Sequence, residues 1–138
     1  AGTMGLEQIE LLESEGVRAD RIVVGHVDRK LEPGYHLALA ETGAFLSFDQ
    51  LGKEKYAPDT ERIAAIERLV EAGHEDQILL AGDMARRSYW PSYGRWNGPG
   101  FTYVLWRFAP WLRDAGLSEP TIERFLEENP ARAFALRG

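Results

Sequence analysis

Three short apolar runs along the chain predict buried β-strands. Residues 21–28, 44–50 and 77–83 are rich in β-branched and aliphatic side chains, with few polar interruptions before their ends. Near-continuous apolar character, rather than strict alternation with polar residues, is typical of strands that are covered on both faces, as in parallel sheets.

Amphipathic patterns typical of helices lie before, between and after these runs. The clearest pattern covers residues 58–72, where Ile63, Ile66 and Leu69 fall on one helical face and Gly73 provides a stop signal. Further helices are predicted over residues 4–15, 34–41, 101–115 and 118–128, with a final turn ending near Phe134. Because helices alternate with strands, the pattern predicts an α/β fold built on a parallel sheet.

Composition narrows the class of protein. The chain has 138 residues, of which 44% are hydrophobic, enough for one domain with a buried core. Its 16 basic residues against 22 acidic ones give a net charge of −6, which argues against general nucleic-acid binding. No run approaches the roughly 18 apolar residues of a membrane helix and no leader-like segment opens the chain, so we expect a cytoplasmic protein without a membrane partner. The absence of cysteine excludes disulfides and thiolate metal sites.

Three strands are few for a parallel sheet that stands alone. We therefore expect the chain to be a piece of a larger unit, and the alternative is a small three-stranded domain completed by dimerisation. Open sheet edges favour association, and we expect a homodimer.

Titratable side chains follow the predicted strands where each strand ends. In parallel α/β folds, ligands bind at the carboxyl ends of the strands. His26 and Asp28 close the first strand, Asp49 the second and Asp83 the third. Imidazole and carboxylate are normal ligands of zinc and similar ions, so His26 and Asp83 are candidate metal ligands. The alternative is that each is an ordinary hydrogen-bonded residue at a strand end.

Cations and aromatic residues gather beyond the same strand ends. No acidic residue lies between Asp83 and Asp114, a stretch that contains five arginines and all four tryptophans. Arginine and lysine bind phosphate and carboxylate, so this surface suits a small anionic substrate, although solvated loop charge explains it as well. Some of the aromatic residues, namely Trp106 and residues 108–111, have the spacing of helix core. The candidates for binding the anion are Lys30, Lys53, Lys55, Arg86 and Tyr89.

Several blocks in a fixed order resemble the phosphotriesterase family of the amidohydrolase superfamily. They are residues 25–28 (Gly-His-Val-Asp), 48–53 (Phe-Asp-Gln-Leu-Gly-Lys) and 79–88 (Leu-Leu-Ala-Gly-Asp-Met-Ala-Arg-Arg-Ser), with further matches at residues 2–8 and 128–132. The chain looks most like the branch of phosphotriesterase homology proteins, which includes sugar-phosphate lactonases. The resemblance implies a (β/α)8 TIM barrel, of which residues 1–138 would form the carboxyl-terminal portion: the helix after strand five, then strands six to eight of a single hydrolase domain.

The resemblance also implies a metal-dependent hydrolase. The family holds two divalent ions, usually zinc, at the carboxyl ends of its strands. His26 matches the histidine ligand of strand six, and Asp83 matches the strand-eight aspartate that binds metal and takes a proton from the bridging hydroxide. Four of the six family ligands have no counterpart in this chain, so the 138 residues alone are expected to be inactive. The implied substrate is a lactone or ester that bears a phosphate or carboxylate.

One departure from the family pattern concerns the proton relay of organophosphate-degrading members. Those proteins have a histidine at the position of Gln50. They also have an acidic residue shortly after the position of Asp28, where this chain has Arg29 and Lys30. This disfavours the first alternative, a phosphotriester hydrolase. Two others stay open: a non-catalytic half-barrel and a small anion-binding module. The remaining histidines are expected to be structural, with His36 on the outer helical ring and His74 at the entry to the third strand.

Overall fold

The sheet positions every element that follows. The computed structural model describes residues 3–90 and 99–136. Within that part of the chain, three parallel strands hydrogen-bond in the order in which they occur. These strands are β1 (Val23–Val24), β2 (Phe45–Phe48) and β3 (Ile78–Leu80). Each lies inside a predicted run, and the predicted parallel sheet is confirmed.

Helices alternate with the strands as the sequence predicts. In the described part of the chain these helices are α1 (Gly5–Ser14), α2 (Pro33–Glu41), α3 (Asp59–Glu71), α4 (Ala109–Asp114), α5 (Glu119–Glu123) and α6 (Asn129–Phe134). A π-helical turn at Val104–Phe108 leads into α4, and another at Arg124–Glu128 links α5 to α6. The side chain of Ser118 caps α5 by accepting a hydrogen bond from the Thr121 amide.

The core lies on both faces of β2. All four residues of β2 are buried, as expected for a strand in the middle of a parallel sheet. The apolar face of α3 packs into this core, together with Phe108, Leu112 and Phe125 from the last helices. Strand β1 is at an edge of the described sheet, and Val23 is 36% exposed, so the expectation of cover on both faces is wrong for this strand.

One aromatic expectation is also wrong. Trp106 was expected in the core, but it is 58% exposed, whereas Phe108 is fully buried. The π-helical turn changes the angular spacing of side chains at this point, so the regular helical period misplaces Trp106.

Candidate active site

His26 and Asp83 lie at the carboxyl ends of β1 and β3, and both have left-handed backbone. Their φ angles are 58° and 43°, and they are the two non-glycine residues with positive φ in residues 3–90 and 99–136. Such backbone costs on the order of 1–3 kcal/mol for a non-glycine residue and persists where its surroundings enforce it, commonly at functional sites. The two candidate metal ligands therefore share an unusual conformation that nothing in the sequence pattern predicted.

Asp49, at the end of β2, orients the His26 ring. One Asp49 carboxylate oxygen lies 2.6 Å from His26 Nδ1, and the other accepts the His26 backbone amide at 3.0 Å. With Nδ1 donating to a carboxylate, Nε2 keeps its lone pair, the usual arrangement of a metal-binding imidazole. The His26 side chain is 47% exposed, and the residue borders a cavity of about 270 Å³ between α1 and the end of β1.

Gln50 connects the two strand ends. Its side-chain amide donates to Asp49 at 3.0 Å and to Asp83 at 3.1 Å, and it lies 3.0 Å from His26 Nδ1. Gln50 is 1% exposed, so this amide is fixed in the interior. Gln50 thus links the histidine that Asp49 orients to the aspartate at the end of β3.

Lys53 holds the carboxylate of Asp83 from its buried side. The ammonium lies 2.6 Å from Asp83 Oδ2 and 2.6 Å from the Asp83 carbonyl oxygen. The hydrogen bond from Lys53, helped by that from Gln50, outweighs the opposing effect of burial and lowers the pKa of Asp83 below its ordinary value. The carboxylate is therefore charged at neutral pH and suited to a cation. Lys53, predicted to bind substrate, is primarily a partner of Asp83.

The donor set fits part of a metal site. An imidazole nitrogen and a charged carboxylate follow two strand ends that point to the same edge of the sheet. Among the described residues, no group of three or more histidine, aspartate or glutamate side chains converges to hold a metal. A divalent ion at His26 and Asp83 would therefore need further ligands from outside the described residues.

A second group of side chains carries positive charge beside this site. The Lys55 ammonium donates to the Tyr89 hydroxyl at 3.1 Å and lies 4.6 Å from the Tyr56 ring centre. The Arg29 guanidinium lies 3.8 Å from the same Tyr56 ring centre. The Lys53 ammonium lies 4.5 Å from the Tyr89 ring centre. Because the same ammonium also binds Asp83, Lys53 connects this group to the end of β3. The structure therefore brings Lys53, Lys55 and Tyr89 together, as the sequence predicts.

Two members of this group are not among the residues that the sequence predicts to bind the anion. Arg29 and Tyr56 contribute a cation–π pair, and nothing in their spacing identifies it, because it joins the turn after β1 to the loop after β2. Two other residues predicted to bind the anion make no contact with this group that the structure records. Lys30 forms an ion pair with Glu32 at 3.0 Å, and Arg86 is exposed next to the turn Arg87–Tyr89. Arg95 and Trp96, part of the predicted cationic and aromatic stretch, lie outside the described residues.

The other histidines make structural hydrogen bonds. His36 is 2% exposed and donates from Nε2 to the Val27 carbonyl at 3.0 Å, with its ring against Phe48. Burial lowers the pKa of His36 below its ordinary value of 6.5. His74 lies at the opposite end of β3 from Asp83, with Nδ1 3.0 Å from a side-chain oxygen of Gln77.

Comparison with known proteins assigns the chain to a family. The sequence model of the phosphotriesterase family matches residues 1–134, and the chain belongs to this family. A lactonase from Listeria monocytogenes has 45% identity and a TM-score of 0.92, covering 99% of this chain and 43% of that protein. The phosphotriesterase homology protein of Escherichia coli, solved with phosphate in its active site, has 38% identity and a TM-score of 0.92, covering 97% and 45%.

A third relative carries a more specific name. The phospho-furanose lactonase of Mycoplasmopsis synoviae is 34% identical over 138 residues, which cover 97% of this chain and 39% of that protein. The chain thus spans less than half the length of these relatives. Its fold is the carboxyl-terminal part of the family's TIM barrel, an open α/β segment with parallel strands. No helix in the described part of the chain is long and apolar enough to cross a membrane.

Proposed function

We propose that this chain is the carboxyl-terminal part of a metal-dependent hydrolase barrel that opens a lactone or related ester bearing a phosphate or carboxylate. The observation that carries the proposal is the shared left-handed backbone of His26 and Asp83, which are linked through Asp49 and Gln50. Strained backbone at two strand ends of a barrel segment, both with metal-binding side chains, is typical of an active site.

His26 and Asp83 are the residues of this chain that would hold the metal. Divalent ions, which we propose to be two zinc ions, would acidify water and polarise the ester carbonyl when bound. The ligands that this chain lacks would come from the rest of the barrel. We therefore expect the 138-residue chain by itself to be inactive.

Asp83 is also the proposed proton acceptor. One side of its carboxylate receives hydrogen bonds from Lys53 and Gln50, which fix its orientation, and the side chain remains 37% exposed. The carboxylate can therefore take a proton from the attacking water while the two donors hold it in place. Because its pKa is lowered, the carboxylate is a weak base and would accept a proton only from water that is itself acidified.

Lys55 and Tyr89 would bind the anionic group of the substrate. Their Nζ and hydroxyl lie 3.1 Å apart, so a single phosphate can contact both. Lys53 supplies further positive charge beneath the Tyr89 ring, and Arg86 is exposed close by in sequence. Phosphate in the active site of the Escherichia coli relative and the phospho-furanose lactonase relative support a phosphorylated substrate.

Hydrolysis of phosphotriesters is the second candidate activity. Gln50 disfavours it, since an amide fixed by Asp49 and Asp83 cannot relay a proton as a histidine does at this position in the family. Uncharged phosphotriesters also gain nothing from the cationic group around Lys55.

The test compares three substrates with the complete enzyme: a phosphorylated furanose lactone, the same lactone without phosphate, and an organophosphate triester. We expect kcat/KM for the phosphorylated lactone to exceed that for the unphosphorylated one by about 10- to 100-fold, the value of one or two charge-assisted hydrogen bonds. Tyr89→Phe and Lys55→Met should remove most of this preference and leave hydrolysis of the unphosphorylated lactone intact. Equal rates on both lactones, or faster triester hydrolysis, would contradict the proposal.

A further inference from the structure

Three charged side chains form a buried cluster behind the site. Asp28 and Arg62 are fully buried, and Asp59 is 1% exposed. Arg62 Nε donates to Asp28 at 2.9 Å, and its Nη1 donates to Asp59 at 2.8 Å. None of the three lines the cavity beside His26, and their contacts to residues 50–57 are to backbone groups, so the proposed chemistry does not use them directly.

The cluster holds the loop after β2, residues 50–57, through its backbone. Asp28 accepts the Gln50 amide at 2.8 Å, and Asp59 accepts the Gly52 amide at 3.1 and 3.2 Å. Arg62 donates to the Ala57 carbonyl, and its Nη2 lies 3.5 Å from the Lys53 carbonyl. The loop is therefore anchored at four backbone positions by three side chains.

Stability alone explains this cluster poorly. Buried ion pairs rarely contribute more to folding than apolar residues of the same volume, because desolvation offsets their attraction. The second carboxylate oxygen of Asp28 is buried without a hydrogen-bond partner in the described part of the chain, an added cost. The geometry that the cluster imposes on the loop is the better explanation.

We propose that Arg62 is a positioning residue for the hydrolase site, and this proposal rests on the proposed function. It fixes residues 50–57 so that the Gln50 amide and the Lys53 ammonium both meet the Asp83 carboxylate. Arginine suits this role since its planar group donates in several directions at once, whereas lysine has one compact charge. An Arg62→Lys enzyme keeps the charge but loses the simultaneous contacts to Asp28, Asp59 and the loop.

The test uses the complete enzyme with Arg62→Lys, with Tyr103→Phe as a milder variant, and with Arg68→Lys as the control. Tyr103 donates to Asp59 at 2.7 Å, so its loss loosens one corner of the cluster, whereas Arg68 is exposed on the same helix as Arg62. Three kinds of measurement are made: steady-state kinetics for kcat and KM on the phosphorylated lactone, thermal unfolding, and the NMR signals of the Gln50 side-chain amide. We expect Arg62→Lys to lower kcat by about 10- to 100-fold in folded protein, as small displacements of catalytic groups do, and to shift the Gln50 signals. The Arg68→Lys enzyme should match the wild type in both.

Each outcome decides the proposal. A folded Arg62→Lys enzyme with wild-type kcat and unshifted Gln50 signals would overturn it. If Arg62→Lys fails to fold, the Tyr103→Phe enzyme decides the question. We expect it to show a smaller fall in kcat and a smaller shift of the Gln50 signals. No change in either quantity would overturn the proposal. If the wild type hydrolyses no lactone, the proposed function fails, and the Gln50 signals still decide whether Arg62 positions the loop.

Discussion

The Lys53 ammonium and the Asp83 carboxylate lie 2.6 Å apart, although 30 positions separate the two residues in the sequence. The lysine side chain is 2% exposed and the aspartate side chain 37%, so one side of the carboxylate is held by the interior and the other faces solvent. This arrangement fixes a charged group at the end of β3 without covering it.

Replacing Lys53 with methionine tests the importance of that contact. The apolar stem keeps its volume, but Asp83 loses its strongest hydrogen-bond donor. Since charge-assisted hydrogen bonds contribute about 1.5–3 kcal/mol, we expect kcat/KM of the complete enzyme to fall about 10- to 100-fold. The control is Arg18→Met, at an exposed position paired with Asp20. Equal activity of the Lys53→Met and Arg18→Met enzymes would show that the contact has no catalytic role.

Asp83→Asn removes the proposed proton acceptor while keeping the shape of the side chain. Loss of a general base lowers rates by about 10²- to 10⁴-fold, and we expect kcat to fall within that range. Asp114→Asn, at an exposed position on α4, is the matched control. Steady-state kinetics on the phosphorylated lactone measure both enzymes, and a variant that keeps more than about a tenth of wild-type kcat would exclude Asp83 as the base.

His36 makes stability depend on pH. Burial is the largest influence on its pKa, which is lowered in the folded chain, and nearby Arg68 lowers it further, whereas Glu32 and hydrogen bonds to two carbonyls oppose the shift. The folded state therefore favours neutral imidazole. As pH falls below 6.5, the unfolded chain binds a proton before the folded chain does, so the free energy of unfolding decreases until the lowered pKa is reached.

Urea unfolding at a series of pH values measures this effect. We expect the wild type to lose stability as pH falls through 6.5, and His36→Gln to lose less over the same interval since glutamine does not titrate. The His36→Gln chain is also expected to be less stable at neutral pH, because its core packing changes. Identical slopes for both proteins would assign the pH dependence to other groups.

Gly52 lies where the loop after β2 meets Pro99. Its φ angle is +78°, and an added Cβ would lie 2.6 Å from Pro99 Cβ. Gly16 also has positive φ, +87°, but an added Cβ there meets nothing within 4 Å. Gly16→Ala should cost only the roughly 1–2 kcal/mol of left-handed backbone, whereas Gly52→Ala should cost about 1–3 kcal/mol more through overpacking. Denaturant unfolding compares the two variants. Equal losses in the free energy of unfolding would contradict the close packing of Gly52 against Pro99.

The alternation of apolar runs and helical patterns correctly predicted the parallel sheet, the order of the elements and the positions of His26 and Asp83 at strand ends. These features follow from local patterns in the sequence. Trp106 could not be placed in this way, because a single π-helical turn changes which positions face the core.

Contacts between distant segments were beyond sequence reasoning. Arg62 occupies the buried face of an amphipathic helix, where the pattern predicts apolar residues, and its two aspartate partners lie 34 and 3 positions away. The Arg29 and Tyr56 pair likewise forms only when two loops converge. Left-handed backbone at His26 and Asp83 depends on neighbours from other strands, and the sequence around each residue gives no sign of it.

Removing metal from the complete enzyme tests the central claim, that His26 and Asp83 belong to a metal-dependent hydrolase site. We expect dialysis against a chelator to abolish hydrolysis of the phosphorylated lactone, and added zinc to restore it in the wild type. The His26→Ala enzyme should regain far less activity at the same zinc concentration, since one of its ligands is gone. Full activity after chelation, or equal recovery in His26→Ala, would contradict the account.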